Sequence, residues 1–368
     1  MRCKFFILLM IVMLSNTTFA HPIKVSNDIK ITNSIYEGIK VINDCKLTFR
    51  NMDDIIIGDM YNNVCAGIEI MPGKRLTISL EGCGNVNIYG GCYKSLGNMY
   101  ACAGIYVPQN STLEIVGKGV LSAFGCMGAS GIGGQGVAIY DSDTDYSMTD
   151  AGSIYIKGGN IMATSYHNGF VDCSGTGAGI GGGGICNLID RQELIGGSVE
   201  LIDVSGGNIV AIGGNGDNCN GTGAGIGGGG VCNLAGNVNF ISGGDLKKVK
   251  IRGGNIVARG GSNNSTKGMG AGIGGGGIYN NGNCDSIVCG QLLDLSDECL
   301  RESSNFKENI SIGSGNVYSN GTVIRVLSPT VVVNDNDTSL KESIKNSTKK
   351  IISTIVMFAI GVLVKFGK

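Results

Sequence analysis

Tryptophan is absent from this chain, proline occurs four times and histidine twice in 368 residues, and only 15% of the residues are charged. These scarcities exclude several classes of function. With His167 the only histidine besides His21, no metal-histidine cluster can be assembled and no Ser-His-Asp arrangement is expected. A net charge of −1 gives no general attraction for nucleic acid. No Gly-Lys-Ser or Gly-Lys-Thr completes a phosphate loop. The 64 glycines follow no Gly-X-Y period, which excludes collagen, and a hydrophobic share of 42% excludes a disordered chain. Glycine in this quantity must be structural.

What is present begins with Arg2 and Lys4, the apolar run Phe5 to Leu14 and the small-residue site Thr18-Phe19-Ala20 before His21. That order reads as a secretory signal over residues 1–20, too short for a spanning helix. Of fourteen cysteines, thirteen remain once Cys3 is removed with the signal, so disulfides are expected in an oxidising compartment, with at least one thiol left over.

Three copies of one unit fill the centre. Each has an alternating strand, a Gly-Gly-Asn turn, a second short strand and a Gly-rich block: GTGAGIGGGGICNL from Gly175, GTGAGIGGGGVCNL from Gly221 and GMGAGIGGGGIYNN from Gly268. Ala178, Ala224 and Ala271 set the period at 46 and then 47 residues, which announces a stacked array. Period-2 alternation in Ile154/Ile156, Val199/Leu201 and Val249/Ile251 turns one face inward, and nothing in the stretch has helical spacing. A shorter related unit, CAGIEI from Cys65 and CAGIYV from Cys102, lies upstream. The expected architecture is all-β, a right-handed parallel β-helix or β-solenoid of Gly-rich repeats of about 47 residues. Two coils per repeat would give about 13 coils and a rod of order 60 Å. The chain divides into the signal, N-terminal coils over 21–145, the three repeats over 146–281, a Cys-containing insert and last coil over 282–334, and a polar spacer with an apolar tail over 335–368.

This order of motifs, CAGIxxxPxxxLxI, GGNIVAxGG and GAGIGGGG over roughly Cys65 to Asn280, resembles the AGIGGG-type repeats of bacterial and protist surface proteins. It is also similar to the Cys-containing, Gly-rich spore wall proteins of microsporidia. The resemblance implies an extracellular, β-helix-like surface protein and carries over no catalytic residue. A structural coat or wall protein is therefore the expected function, with other coat proteins or polysaccharide as partners. The alternatives are an adhesin that binds carbohydrate or host glycans, and a polysaccharide-degrading enzyme. No enzyme activity and no cofactor are expected.

Individual motifs have plainer readings. Gly177 to Gly182 satisfies GxGxxG, but a pyrophosphate site needs a helix behind the loop, and Ile185-Cys186-Asn187-Leu188 follows instead. Asp141, Asp143 and Asp145 copy the first ligands of a calcium loop, yet Tyr146 and Gly152 stand where that loop needs Gly and Glu, so a solvated acidic loop is expected. Asp217 in GGNGDNC comes one place early for a calcium nonapeptide. Lys247, Lys248, Lys250 and Arg252 form a candidate polyanion-binding row, with a solvated strand face as the plainer reading. Sequons at Asn110, Asn220, Asn264, Asn309 and Asn320, with further ones at Asn263, Asn336 and Asn346, are candidate N-glycosylation sites.

Cys173 and Cys186 match Cys219 and Cys232, and Thr266 and Tyr279 replace both in the third copy, which is the joint loss expected of a bonded pair. With two coils per repeat, equivalent cysteines would lie about 9.6 Å apart, beyond disulfide reach, so Cys173–Cys186 and Cys219–Cys232 are the expected links. At the C-terminus, Ile351 to Val364 is an apolar run short of a bilayer span. Together with the small polar residues near Asn336 it fits a glycolipid-anchor signal, while Lys365 and Lys368 leave a short membrane anchor or a buried closing helix as competitors.

Overall fold

The computed structural model describes residues 21–333 apart from 52, 60–64, 83, 142–144, 167–175, 216–221, 262–268, 295–309, 320–325 and 328–329. Among them there is no α-helix, only a 3-10 turn at Ser147–Thr149, so the chain is all-β. Its strands form four sheets of ten, seven, eleven and four members.

One repeat visits all four sheets in turn. From Ile180–Gly181 in the ten-stranded sheet the chain passes to Ile185–Asn187 in the seven-stranded one, then to Arg191–Ile195 in the four-stranded one. The long strand Val199–Ile212 in the eleven-stranded sheet follows, and Ile226–Gly227 returns to the first. Each of these strands pairs in parallel with its counterpart one repeat later: Ile180 with Ile226, Ile185 with Val231, Leu194 with Ile241 and Val204 with Ile251.

A repeat is therefore one rung of the stack, not two coils. The ten-stranded sheet holds nine parallel strands, about 38 Å of stacking at the ordinary strand spacing, and a tenth, Thr330–Val333, that runs antiparallel to Ile310–Gly313. The expectation of about 13 coils fails because the Gly-rich block, read as a loop, contains two strands of its own. The supposed irregular insert after Gly282 also begins with a regular strand, Cys284–Val288, in which Cys284 and Ile287 continue the inward positions of Val238 and Ile241.

Gly-Gly-Asn takes the special angle expected, since Gly159, Gly207 and Gly254 lie at φ 90°, 93° and 92°. It does not reverse the chain. Strand pairing continues on both sides of it within one sheet, so the glycine makes a bend.

The cross-section contains two apolar compartments. The larger runs from Val25 to Ile312 and is lined by Ile, Leu and Val of the ten- and eleven-stranded sheets. The smaller, with Ile185, Leu194, Val231, Val238, Ile241 and Ile278, lies between the seven- and four-stranded sheets. Between the two runs a seam of bare backbone, in which the Gly-rich block of each rung meets a second glycine pair that follows the four-stranded sheet. Its hydrogen bonds zigzag up the stack: Gly183 N–H to Thr149 O, Gly197 to Gly183, Gly229 to Gly197, Gly244 to Gly229 and Gly276 to Gly244, all 2.8–3.0 Å. A Cβ on Gly182, Gly228 or Gly275 would overlap the carbonyl of Gly197, Gly244 or Gly290. Close approach of two main chains, not a corner, is what demands glycine there.

Candidate functional site

Where the fourth sheet begins, among the described residues of the preceding rung a 3-10 turn and no strand stands against Arg191–Ile195. The step leaves an open groove of about 860 Å³ lined by Tyr146, Asp150, Asp190, Arg191, Glu193, Asn237 and Asn239 among others. The Arg191 guanidinium lies 5.4 Å from the centre of the Tyr146 ring, a cation–π distance, and the Tyr146 hydroxyl donates to Glu193 O at 3.4 Å.

Most of the acids here are engaged in holding backbone. Asp145 accepts from the Ser147 N–H, Asp190 from the Asn237 N–H at 2.6 Å, and Asp150 from the Ser198 N–H at 2.6 Å and from Gln109. Further along, Ser198 Oγ accepts from the Asp245 N–H, and Asp245 from the Gln291 N–H. Asp150 thus starts a polar column that ties successive rungs. Burial pushes its carboxyl above the ordinary aspartate range, against the lowering effect of its hydrogen bonds and of Lys247. The same cause raises Asp245.

Glu114 has the opposite shift. Hydrogen bonds from Lys157 and Arg75, one from the rung on each side, hold its carboxyl below the ordinary glutamate range. The signs oppose in a pH titration. Asp150 favours its proton in the fold, so its contribution to stability falls as pH rises from the unfolded aspartate value through its raised folded one. Glu114 stabilises the fold above the unfolded glutamate value and loses that contribution as pH falls through its depressed folded one. Carboxyl carbon NMR is expected to show Asp150 titrating above free aspartate and Glu114 below free glutamate. Replacing Lys157 or Arg75 by alanine should return Glu114 toward the ordinary value and leave Asp150 unmoved.

The basic row is placed as its alternation requires, with Val249 and Ile251 buried between Lys248, Lys250 and Arg252. Three of its four charges face carboxylates within the chain. Arg252 makes a two-pronged pair with the buried carboxylate of Asp203 at 2.7 and 2.8 Å, Lys248 pairs with Asp294 at 2.8 Å, and Lys247 lies in the field of Asp150 and Asp245.

Cys186 is disulfide-bonded, and its partner lies outside the described residues, as do Cys173 and Cys219. Cys186 and Cys232 are direct partners in adjacent strands. The distance argument that separated equivalent cysteines therefore fails, because one rung lies between them, not two. Asn110 is exposed, at φ 61° in a turn, while Asn220, Asn263, Asn264, Asn309, Asn320, Asn336 and Asn346 lie outside the described residues. So do the signal segment, His167, Asp143, Asp217 and the apolar tail. The GxGxxG run is followed by strand Ile185–Asn187, with no helix to hold a phosphate. Among the described residues no group of three or more His, Cys, Asp or Glu is arranged to hold a metal ion, and no helix is long and apolar enough to cross a membrane.

The most developed polar constellation is one that motif reading passed over. Asn187, Asn233 and Asn280 are fully buried and stacked in register. Asn187 Nδ2 donates to Asn233 Oδ1 at 2.9 Å, Asn233 Nδ2 to Asn280 Oδ1 at 2.8 Å, and Asn280 Nδ2 to Ser319 Oγ at 3.1 Å. Each also bonds a carbonyl of its own rung, Ile189, Gly236 or Gly282. The signal was the invariant third place of ICN, VCN and IYN. No family profile, no curated protein and no solved structure matches the chain.

Proposed function

We propose that this chain is a structural protein of an extracellular coat or wall, a right-handed, disulfide-braced β-solenoid exported by its N-terminal signal and held at the surface by its apolar C-terminal tail. The carrying observation is where the polar groups go. The side-chain bonds of the asparagine ladder, the aspartate clasps and every second bond of the glycine seam join one rung to the next. Such a body is stabilised along its length by nearest-neighbour contacts, which suits a load-bearing or packing element. Right-handed winding follows from the handedness of parallel crossovers.

Immunogold labelling of the native cell tests the location, and label confined to the cytosol would overturn the reading. A chain ending at Leu340 is expected in the medium, while the full chain stays with the cell. Equal amounts of both in the medium would mean that the tail is no anchor.

A further inference from the structure

Four cysteines from neighbouring rungs converge at one corner of the N-terminal part of the stack. The Gly91 N–H donates to Cys65 O, the Cys102 N–H to Gly91 O and the Cys126 N–H to Cys102 O, at 2.9–3.0 Å. Cys92 stands opposite Ala101 in an antiparallel pair, half-buried, while Cys126 is fully enclosed beside Ala101, Ala103 and Ala129. The Cys92 and Cys126 side chains are in hydrogen-bond contact.

We propose that Cys92 and Cys126 are a dithiol that closes to a disulfide between adjacent rungs, with Cys92 as the attacking sulfur. The parallel register that sets Tyr89 opposite Phe124 carries Cys92 and Cys126, three and two residues further on, to one corner of adjacent rungs, where their side chains meet. Cys92 is the nucleophile for two independent reasons. It is the one of the pair that reagent can reach, and the hydrogen bond from Cys126 favours its thiolate, bringing its pKa down to about 7 against the opposing effect of burial. Cys102 differs. Full burial, with Cys65 and Cys92 alongside, pushes its thiol well above the ordinary range and keeps it protonated.

With a low-molecular-weight disulfide RSSR as oxidant, the Cys92 thiolate attacks one sulfur, the S–S bond breaks and RS⁻ leaves with the electron pair. Cys126 then gives up its proton and attacks the Cys92 sulfur of the mixed disulfide, releasing the second RS⁻. Two protein thiols and RSSR become one protein disulfide and two RSH, the protein losing two electrons. The step does not depend on the coat reading, since the oxidant is supplied from outside.

The test uses the full secreted chain, reduced in its folded state, freed of reductant and exposed to glutathione disulfide, with peptide mapping under non-reducing conditions. The wild type is expected to lose both thiols, to keep no glutathione at Cys92 and to yield a Cys92–Cys126 linked peptide. Cys126→Ser should trap one glutathione on Cys92, and Cys92→Ser should leave Cys126 a thiol. Attack should be about fivefold slower at pH 6 than at pH 7, as the thiolate fraction of a thiol with pKa near 7 requires. A glutathione adduct that persists on Cys92 in the wild type, a Cys92 that stays unmodified in Cys126→Ser, or Cys92 linked to a different cysteine overturns the proposal. If a serine variant does not fold, the wild-type linked peptide decides alone.

Discussion

Gly228→Ala is expected to keep the chain from accumulating as a folded protein. The added Cβ would stand against the carbonyl carbon and oxygen of Gly244, far closer than the 3.0 Å that real Cβ atoms keep, and both are main-chain atoms that cannot swing away. Relief would require the two main chains of the seam to part, which breaks the bonds from Gly229 to Gly197 and from Gly244 to Gly229. Overpacking of side chains costs about 1–3 kcal/mol, and a backbone seam without room to relax should exceed about 4 kcal/mol. Gly73→Ala is the control. Gly73 has φ +75° and nothing within 4 Å of the added atom, so only backbone strain of about 1 kcal/mol is expected. Soluble yield and urea midpoints of the two variants test the difference, and similar values for both would mean that the seam is not the limiting contact.

Asn233→Ala should cost about 3–4 kcal/mol. The amide it removes accepts from Asn187 and donates to Asn280 and to Gly236 O, all within the stack. A buried polar group left without its partner costs about 1–3 kcal/mol, and more than one is affected. The chain supplies its own control, because Asn160, Asn208 and Asn255 form a ladder of similar geometry on the exposed surface, with bonds of 2.6 and 2.7 Å. Asn208→Ala should cost no more than about 0.5 kcal/mol, since water replaces the lost partner. Melting and limited proteolysis should both be read, as a stacked array can open at one rung without unfolding as a whole. A large loss at Asn208, or none at Asn233, would show that burial does not set the worth of these ladders.

Much of the fold was legible in the sequence, and the parts that were not share a cause. The period and most inward positions followed from repeated Ile and Val in alternation, and the register of Ile180, Ile226 and Ile273 is the one that the aligned alanines gave. The Val199/Leu201 alternation does not hold: Leu201 stands opposite Ser153 and is half-buried, and Ile202 and Val204 fill the core instead. The number of rungs was misread because strands such as Ile180–Gly181 and Ile185–Asn187 are too short to show alternation inside a glycine run. Gly196-Gly197 and Gly243-Gly244 carry no motif that marks them in the sequence. Their role exists only when a distant glycine block is brought against them. The groove was invisible for a different reason: Tyr146, Asp150 and Arg191 belong to the one step where the rung widens, so no second copy of that arrangement marks them.

The aspartate clasps have a direction. Asp28 accepts from the Lys46 N–H, Asp44 from Arg75, Asp54 from Asn85, Asp150 from Ser198, Asp190 from Asn237 and Asp245 from Gln291. In all six the carboxylate belongs to the earlier rung and the amide to the later one. A chain leaving the ribosome therefore completes its acceptors before its donors. Each growing end presents a row of carboxylates, which water solvates well, and the next segment arrives carrying the matching amides. Assembly can proceed in the order of synthesis, one rung at a time, with each finished layer serving as the template for the one that follows.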